Sequence, residues 1–289
     1  MENLKYINNS KTTTIKNVSD VTFVQCNALG DIKFINHAFS TRLGGVSDGI
    51  WKSMNLNFGR GDDENAVLEN FKRFAKAIDT PVEDMVYSMQ THTTNVIKVT
   101  KNNCGNGIIT PQKFKDVDGL ITNEPEVCLV TTYADCVPLY FIDVERRAVG
   151  LSHSGWRGTV GNITKVTVEK MREEFGTLPE NIVTFIGPSI CKNCYEVSED
   201  VAMKFAEVYT EEEQQKILVK KNVVQGEQKY LLDLHAANVI NMKNAGIPMD
   251  NIHVTDLCTC CNSKFFFSHR ASRGQRGGLC AFLEIRDDR

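Results

Sequence analysis

Short, interrupted apolar runs constrain this chain most. Residues 21–24, 85–88, 128–132, 139–142, 148–151, 182–186 and 252–255 are rich in β-branched and aromatic side chains, and turn or charged residues bound the runs. Such runs read as buried strands. Residues 62–78 follow a different period. Val67, Leu68, Phe71, Phe74, Ala75 and Ile78 make one apolar stripe, acidic residues sit in the first turn and Pro81 lies beyond the end, which predicts a helix. Residues 159–175 keep Val160, Ile163, Val166, Met171 and Phe175 near helical spacing and stop at Gly176, a residue suited to the left-handed position that closes a helix. Two more helices are expected over 199–209 and 234–245, the second closed by Gly246 with Pro248 behind it. Strands and helices intermix with no repeat, linker or low-complexity tract. The expectation is therefore an α/β or α+β fold, with mixed sheets and flanking helices, in a single domain over residues 1–289.

Composition narrows the partners. With 42% apolar residues the chain can bury a core, and 33 Lys+Arg against 36 Asp+Glu give a net charge of −3, without the basic footprint of a nucleic-acid binder. No apolar run reaches the roughly 18 residues of a membrane span, and the opening MENLKYINNSKTTTIKN lacks the apolar core of a secretory signal. A cytoplasmic chain is expected, with neither nucleic acid nor membrane as partner. In a reducing compartment its ten cysteines are buried thiols, metal ligands or nucleophiles before they are disulfides.

Three segments carry chemistry at the ends of predicted strands: Gln90-Thr91-His92, Ala134-Asp135-Cys136 and His153-Ser154-Gly155-Trp156-Arg157-Gly158. Clefts in such folds form beyond strand ends, so His92, Cys136 and His153 can converge although 61 residues separate the first from the last. Two imidazoles and a thiolate suit Zn²⁺ and leave its fourth position open. Without a metal the same residues make a thiolate nucleophile activated by imidazole. A third reading treats each as an ordinary structural residue. Arg157, flanked by Gly155 and Gly158 at a helix start, is a candidate phosphate contact together with the backbone of those glycines, and Arg42 ahead of Gly44-Gly45 is another. Asp118, in Asp116-Val117-Asp118-Gly119-Leu120, reads as a turn residue entering a strand near the site.

Cys191, Cys194, Cys258, Cys260 and Cys261 form two clusters that could hold a second, structural metal, but the spacing C-x-C-C is irregular and free buried thiols are the default. Six histidines without repeated His-x-His pairs are too few for a multicopper oxidase, so copper is the less favoured metal at the first site.

The motifs occur in a particular order. Ser40-Thr41-Arg42 with Gly44-Gly45-Val46-Ser47, Gln90-x-His92, Asp118-Gly119, Ala134-Asp135-Cys136-Val137-Pro138 and His153-x-Gly155-Trp156-Arg157-Gly158 closely resemble the YfiH/YlmD family. The match continues through Ile186-Gly187-Pro188-Ser189-Ile190, Cys194-Tyr195-Glu196-Val197, Asp233-Leu234 with Asn238, and Phe266-Phe267-Ser268 with Arg270 and Arg276. That family was once labelled multicopper polyphenol oxidoreductase or laccase and is now described as purine nucleoside phosphorylases. The resemblance implies that His92, Cys136 and His153 bind a catalytic zinc. It implies an α/β fold related to bacterial Cys-His toxin deamidases. It also implies phosphorolysis of adenosine, inosine, guanosine and methylthioadenosine to free base and ribose 1-phosphate, plus adenosine deamination, with purine nucleosides and phosphate as partners. Residues 1–38 match less clearly and are expected to form edge strands, and His269 stands where the family commonly has Tyr or Thr. The competing functions are a metal-free Cys-His hydrolase or deamidase with Cys136 as nucleophile, and a non-catalytic nucleotide sensor.

Overall fold

The computed structural model describes residues 4–223 and 226–287 and places two six-stranded sheets face to face. The first runs Thr13–Val18, Val21–Cys26, Ile35–Ser40, Leu279–Ile285, Cys128–Tyr133, Met85–Tyr87, antiparallel until its last pair. The second runs Ile252–Val254, Ile182–Ile186, Val137–Asp143, Ala148–Ser154, Gly119–Thr122, Val96–Lys98, with a parallel pair at each edge. Three short strands, Glu196–Ser198, Lys229–Leu232 and Leu218–Lys220, form a third sheet.

Strand periodicity builds the layers. Val24, Phe39, Leu129, Ala281 and Leu283 of the first sheet pack with Tyr140, Ile142, Val149, Leu151 and Phe185 of the second. The alternate residues, Phe23, Ala38, Val130, Cys280 and Phe282, face the other way and bury the stripe of helix Glu64–Ile78, including Phe71 and Phe74. That helix starts where the Asp63 side chain accepts the Asn65 N–H, and it ends at Asp79 in the left-handed region. The outer face of the second sheet, with Leu139, Phe141, Ile182 and Ile186, is covered by helices Ile163–Phe175 and Leu234–Asn244. The fold is a mixed α/β sandwich, as expected, with layers in the order helix, sheet, sheet, helix. Among the described residues no helix is long and apolar enough to cross a membrane.

Two expectations change. The helix read over 159–175 is two helices, Trp156–Val160 and Ile163–Phe175, because Asn162 adopts φ 56° and its side chain caps the second by accepting the Lys165 N–H. Among the described residues before Phe39, only Thr13–Val18 is an edge strand. Ile35–Ser40 lies inside the sheet between Val21–Cys26 and Leu279–Ile285, where its inward residues are buried.

Register positions the site. Pro138 pairs with His153 and Val137 with Ser154, while Gly119 pairs with Ser152. Asp118, Cys136 and His153 therefore lie at one end of three adjacent strands.

Candidate active site and metal centres

His92, Cys136 and His153 converge, with their ligand atoms all within 4.8 Å of one another. His92 Nε2 lies 3.9 Å from Cys136 Sγ, and the two imidazoles meet edge to face with centroids 4.9 Å apart. His153 is buried, Cys136 half-buried and His92 exposed, so the cluster opens to solvent on the His92 side.

The residue that assembles this cluster is Asp118, fully buried at the strand end. Its Oδ1 lies 2.7 Å from His153 Nδ1 and accepts the His92 N–H at 3.1 Å. Its Oδ2 accepts the Thr91 and Thr93 N–H groups, both at 3.0 Å, and the Thr93 hydroxyl at 3.2 Å. Three successive amides can wrap one carboxylate because His92 adopts φ 68°. Burial pushes the Asp118 carboxyl up, but His153 and the backbone amides outweigh it and hold the group below the usual carboxylate range. With Nδ1 engaged by the carboxylate, His153 presents Nε2 to the cluster, the arrangement that commonly stands behind a metal-ligating histidine.

Cys136 is tuned by the same neighbours. Burial raises its pKa, yet the charge and hydrogen bonding of His153 and His92 bring it down to about 6. Burial lowers His153, and the thiolate and Asp118 reverse this and take it to about 9. Cys136 follows Asp135, a residue at φ 82° pinned on every side. Asp135 Oδ1 accepts from the Thr259 hydroxyl (2.7 Å), Oδ2 accepts from the Ser268 hydroxyl (3.0 Å) and the Arg270 N–H (2.7 Å), and its carbonyl accepts the Ile190 N–H (3.0 Å). The turn after His153 is pinned likewise: the Ser154 hydroxyl donates to Asn238 Oδ1 at 3.0 Å.

The donor set fits a zinc ion. A Cβ on Gly155 would lie 2.9 Å from His92 Cδ2 and 3.1 Å from Cys136 Sγ, so only glycine there leaves both ligands their space. Gly155 has φ −71°, which any residue adopts, so close approach and not backbone freedom explains it. Gly158 is also a packing residue, since a Cβ there would lie 3.3 Å from the His153 carbonyl oxygen.

The expected phosphate contacts fare differently. Arg42 braces two loops: its Nε and Nη2 donate to the Lys52 carbonyl and its Nη1 to the Ser263 carbonyl, with the guanidinium 4.6 Å from the Phe267 ring centre. Arg157 is exposed and lies over the ring of Trp156. Arg276, read from sequence only as a motif residue, is buried with its Nε lacking any partner among the described residues. Burial and the neighbouring charge of Arg60 lower its pKa to about 10, against the pull of Cys136 and Asp135. With Arg42, Phe267 and Ser268 it lines a cavity of about 250 Å³. His269 is exposed at the start of helix His269–Ser272.

The second cluster takes four of the five expected cysteines. Sulfurs of Cys191, Cys194, Cys258 and Cys261 lie within 4.8 Å of one another, and Cys260 falls outside that group. The irregular C-x-C-C is thus a Cys258-x-x-Cys261 pair facing the Cys191-x-x-Cys194 pair. Cys26, Cys128 and Cys280 are buried free thiols, and His37 and His235 are satisfied core residues, bonded to the Cys26 N–H and to Ser189 Oγ.

Residues 36–286 match the model of a family described as multi-copper polyphenol oxidoreductase laccase. The chain is 37% identical over 253 residues to the purine nucleoside phosphorylase YlmD of Geobacillus stearothermophilus, covering 86% of this chain and 89% of that relative. It is 34% identical over 236 residues to adenosine deaminase RL5 from an unknown prokaryotic organism, covering 81% and 87%. The crystal structure of YlmD from Geobacillus stearothermophilus superposes with a TM-score of 0.87 at 33% identity, over 95% of this chain and all of that one.

Proposed function

The chain belongs to the YlmD/YfiH family, and from that membership and its three-ligand centre we propose that it is a zinc-dependent purine nucleoside phosphorylase. Its substrates on this reading are adenosine, inosine, guanosine and methylthioadenosine. Phosphate displaces the base to give ribose 1-phosphate, and adenosine deamination is a side reaction. The observation that carries the reading is the donor geometry: two imidazoles and a thiolate within 4.8 Å, the buried imidazole held by a carboxylate. When bound, zinc supplies Lewis acidity at an open fourth position. Asp118 fixes the ring and tautomer of His153 and the backbone carrying His92. Phosphorolysis builds positive charge on the sugar as the base departs, so the nucleophilic phosphate must be held in line. Arg276, buried within the field of Cys136 and with its Nε unpartnered among the described residues, is the best-placed cation for an anion. The two groups with metal-ligand geometry among the described residues contain two histidines in all, which supports zinc over a multicopper centre.

One observation favours a second reading. The low thiol pKa of Cys136 beside two histidines is what a Cys-His nucleophile needs. Iodoacetamide separates the two: a zinc ligand is protected until a chelator is added, whereas a free nucleophile reacts either way. The decisive assay incubates adenosine with the protein, with and without phosphate, and separates adenine, inosine and ribose 1-phosphate. Phosphate-dependent adenine is expected. Inosine alone would reduce the protein to a deaminase, and no turnover would leave a binding protein.

A further inference from the structure

We propose that Cys191, Cys194, Cys258 and Cys261 form a second metal site, a tetrahedral structural zinc that joins the two loops beside the active site. Their sulfurs lie within 4.8 Å of one another, with Cys194 and Cys261 3.4 Å apart and Cys191 and Cys261 4.0 Å apart. Four sulfurs at 2.3 Å from one zinc stand about 3.8 Å from each other, so the cluster already has the size of the coordination shell. All ten cysteines are free, and these two sulfur separations are far above the roughly 2.05 Å of a disulfide.

The backbone supports this as strongly as the sulfurs do. Strands Ile182–Ile186 and Ile252–Val254 pair in parallel, so the chain leaves both at the same end, and a further bridge between Ser189 and Cys258 carries the two segments side by side into the cluster. Each then contributes one C-x-x-C pair, the short spacing that lets a single turn present two thiolates to one ion. The Cys191 and Cys261 N–H groups point at Cys258 Sγ, at 3.3 and 3.4 Å, and amides aimed at sulfur stabilise thiolate charge. Arg270, which donates to the Cys194 carbonyl at 3.3 Å, sets a positive group beside a site that carries excess negative charge when filled. Each thiol gives its proton to solvent as the ion binds.

The site also explains how the active-site turn is held. Thr259, inside the second cysteine pair, donates to Asp135, and so does the backbone of Ile190, the residue before the first pair. Both loops that the metal would join therefore grip the residue preceding Cys136. The inference does not depend on the nucleoside chemistry, because it is read from metal content.

The test uses the full chain with Cys136→Ser, which removes the thiolate of the first site, purified in reductant. Elemental analysis should find one zinc per chain, and X-ray absorption should find four sulfur neighbours at about 2.3 Å. A Cys194→Ser/Cys261→Ser double variant should lose one zinc relative to the parent chain. Absence of zinc from Cys136→Ser, nitrogen or oxygen dominating its shell, or immediate reaction of all four thiols with Ellman's reagent would overturn the proposal. If the double variant does not fold, the Cys136→Ser absorption spectrum decides alone. Failure of phosphorolysis in the parent chain leaves the zinc count untouched, so the two readings fail separately.

Discussion

Replacing Asp118 with Asn tests the assembly of the site most directly. The carboxylate accepts the Thr91, His92 and Thr93 N–H groups, the Thr93 hydroxyl and the bond to His153 Nδ1. An amide has one acceptor oxygen. Placed at the Oδ2 position it keeps three of these bonds, and its NH₂ then faces the His92 N–H and His153. The His92 amide, part-buried, is left facing another donor. His153 must accept at Nδ1, which moves its proton to Nε2 and removes the lone pair the metal needs. One charge-assisted bond lost and the remainder weakened to neutral strength cost about 2–4 kcal/mol of stability. Loss of the carboxylate behind a ligating histidine lowers metal affinity about 10–100-fold. Competition for zinc against a chromophoric chelator measures the second effect and urea unfolding the first. Wild-type zinc affinity in Asp118→Asn would refute the assignment of Asp118 as the residue that orients the histidines, whatever the change in stability.

Gly155→Ala should cut zinc affinity at the first site at least tenfold, because its Cβ would press on His92 and Cys136 at 2.9 and 3.1 Å, while over-packing costs about 1–3 kcal/mol of stability; an alanine variant with full zinc occupancy in the same chelator competition would remove the cradle argument. Acid should destabilise the chain through His37, which burial pushes down to about 4 and whose Nε2 accepts the Cys26 N–H at 2.9 Å. Above pH 6.5 this imidazole is neutral folded or unfolded and costs nothing. As pH falls from about 6.5 towards 4 only the unfolded chain takes up the proton, so stability drops, by about 2 kcal/mol at pH 5. Urea melts at pH 7 and pH 5 should show a smaller loss in His37→Gln than in the parent, and equal losses would place the acid sensitivity elsewhere.

How far the chain could be read before folding is clearest at particular residues. The runs at 128–132, 139–142 and 182–186 were legible because burial on both faces makes a strand a short continuous apolar run, and the stripe from Val67 to Ile78 because burial of one helix face imposes a period of 3.6. The break at Asn162 was hidden, since its cue is a left-handed backbone and a local cap, and the apolar spacing continues across it. The interior place of Ile35–Ser40 was hidden for another reason. It is set by pairing with Leu279–Ile285, from the far end of the chain.

The same division holds for the site. His92, Cys136 and His153 could be named in advance because their residue types and motif neighbours carry the chemistry. Asp118 looked like a turn residue, and only the pairing of Gly119 with Ser152 and of Pro138 with His153 brings its carboxylate beneath both histidines. Arg42 and Arg276 differ for a similar reason, as carbonyls from two loops accept three of the Arg42 N–H groups while the buried Arg276 Nε has no partner among the described residues. Five cysteines in two clusters resolve into two C-x-x-C pairs once parallel strands lay Cys191 beside Cys258. Sequence alone determined which residue types were present and which local elements they form, since propensity and periodicity act over a few residues. The tertiary structure decided which of them meet, since strand register joins positions tens to hundreds of residues apart and no local pattern encodes it.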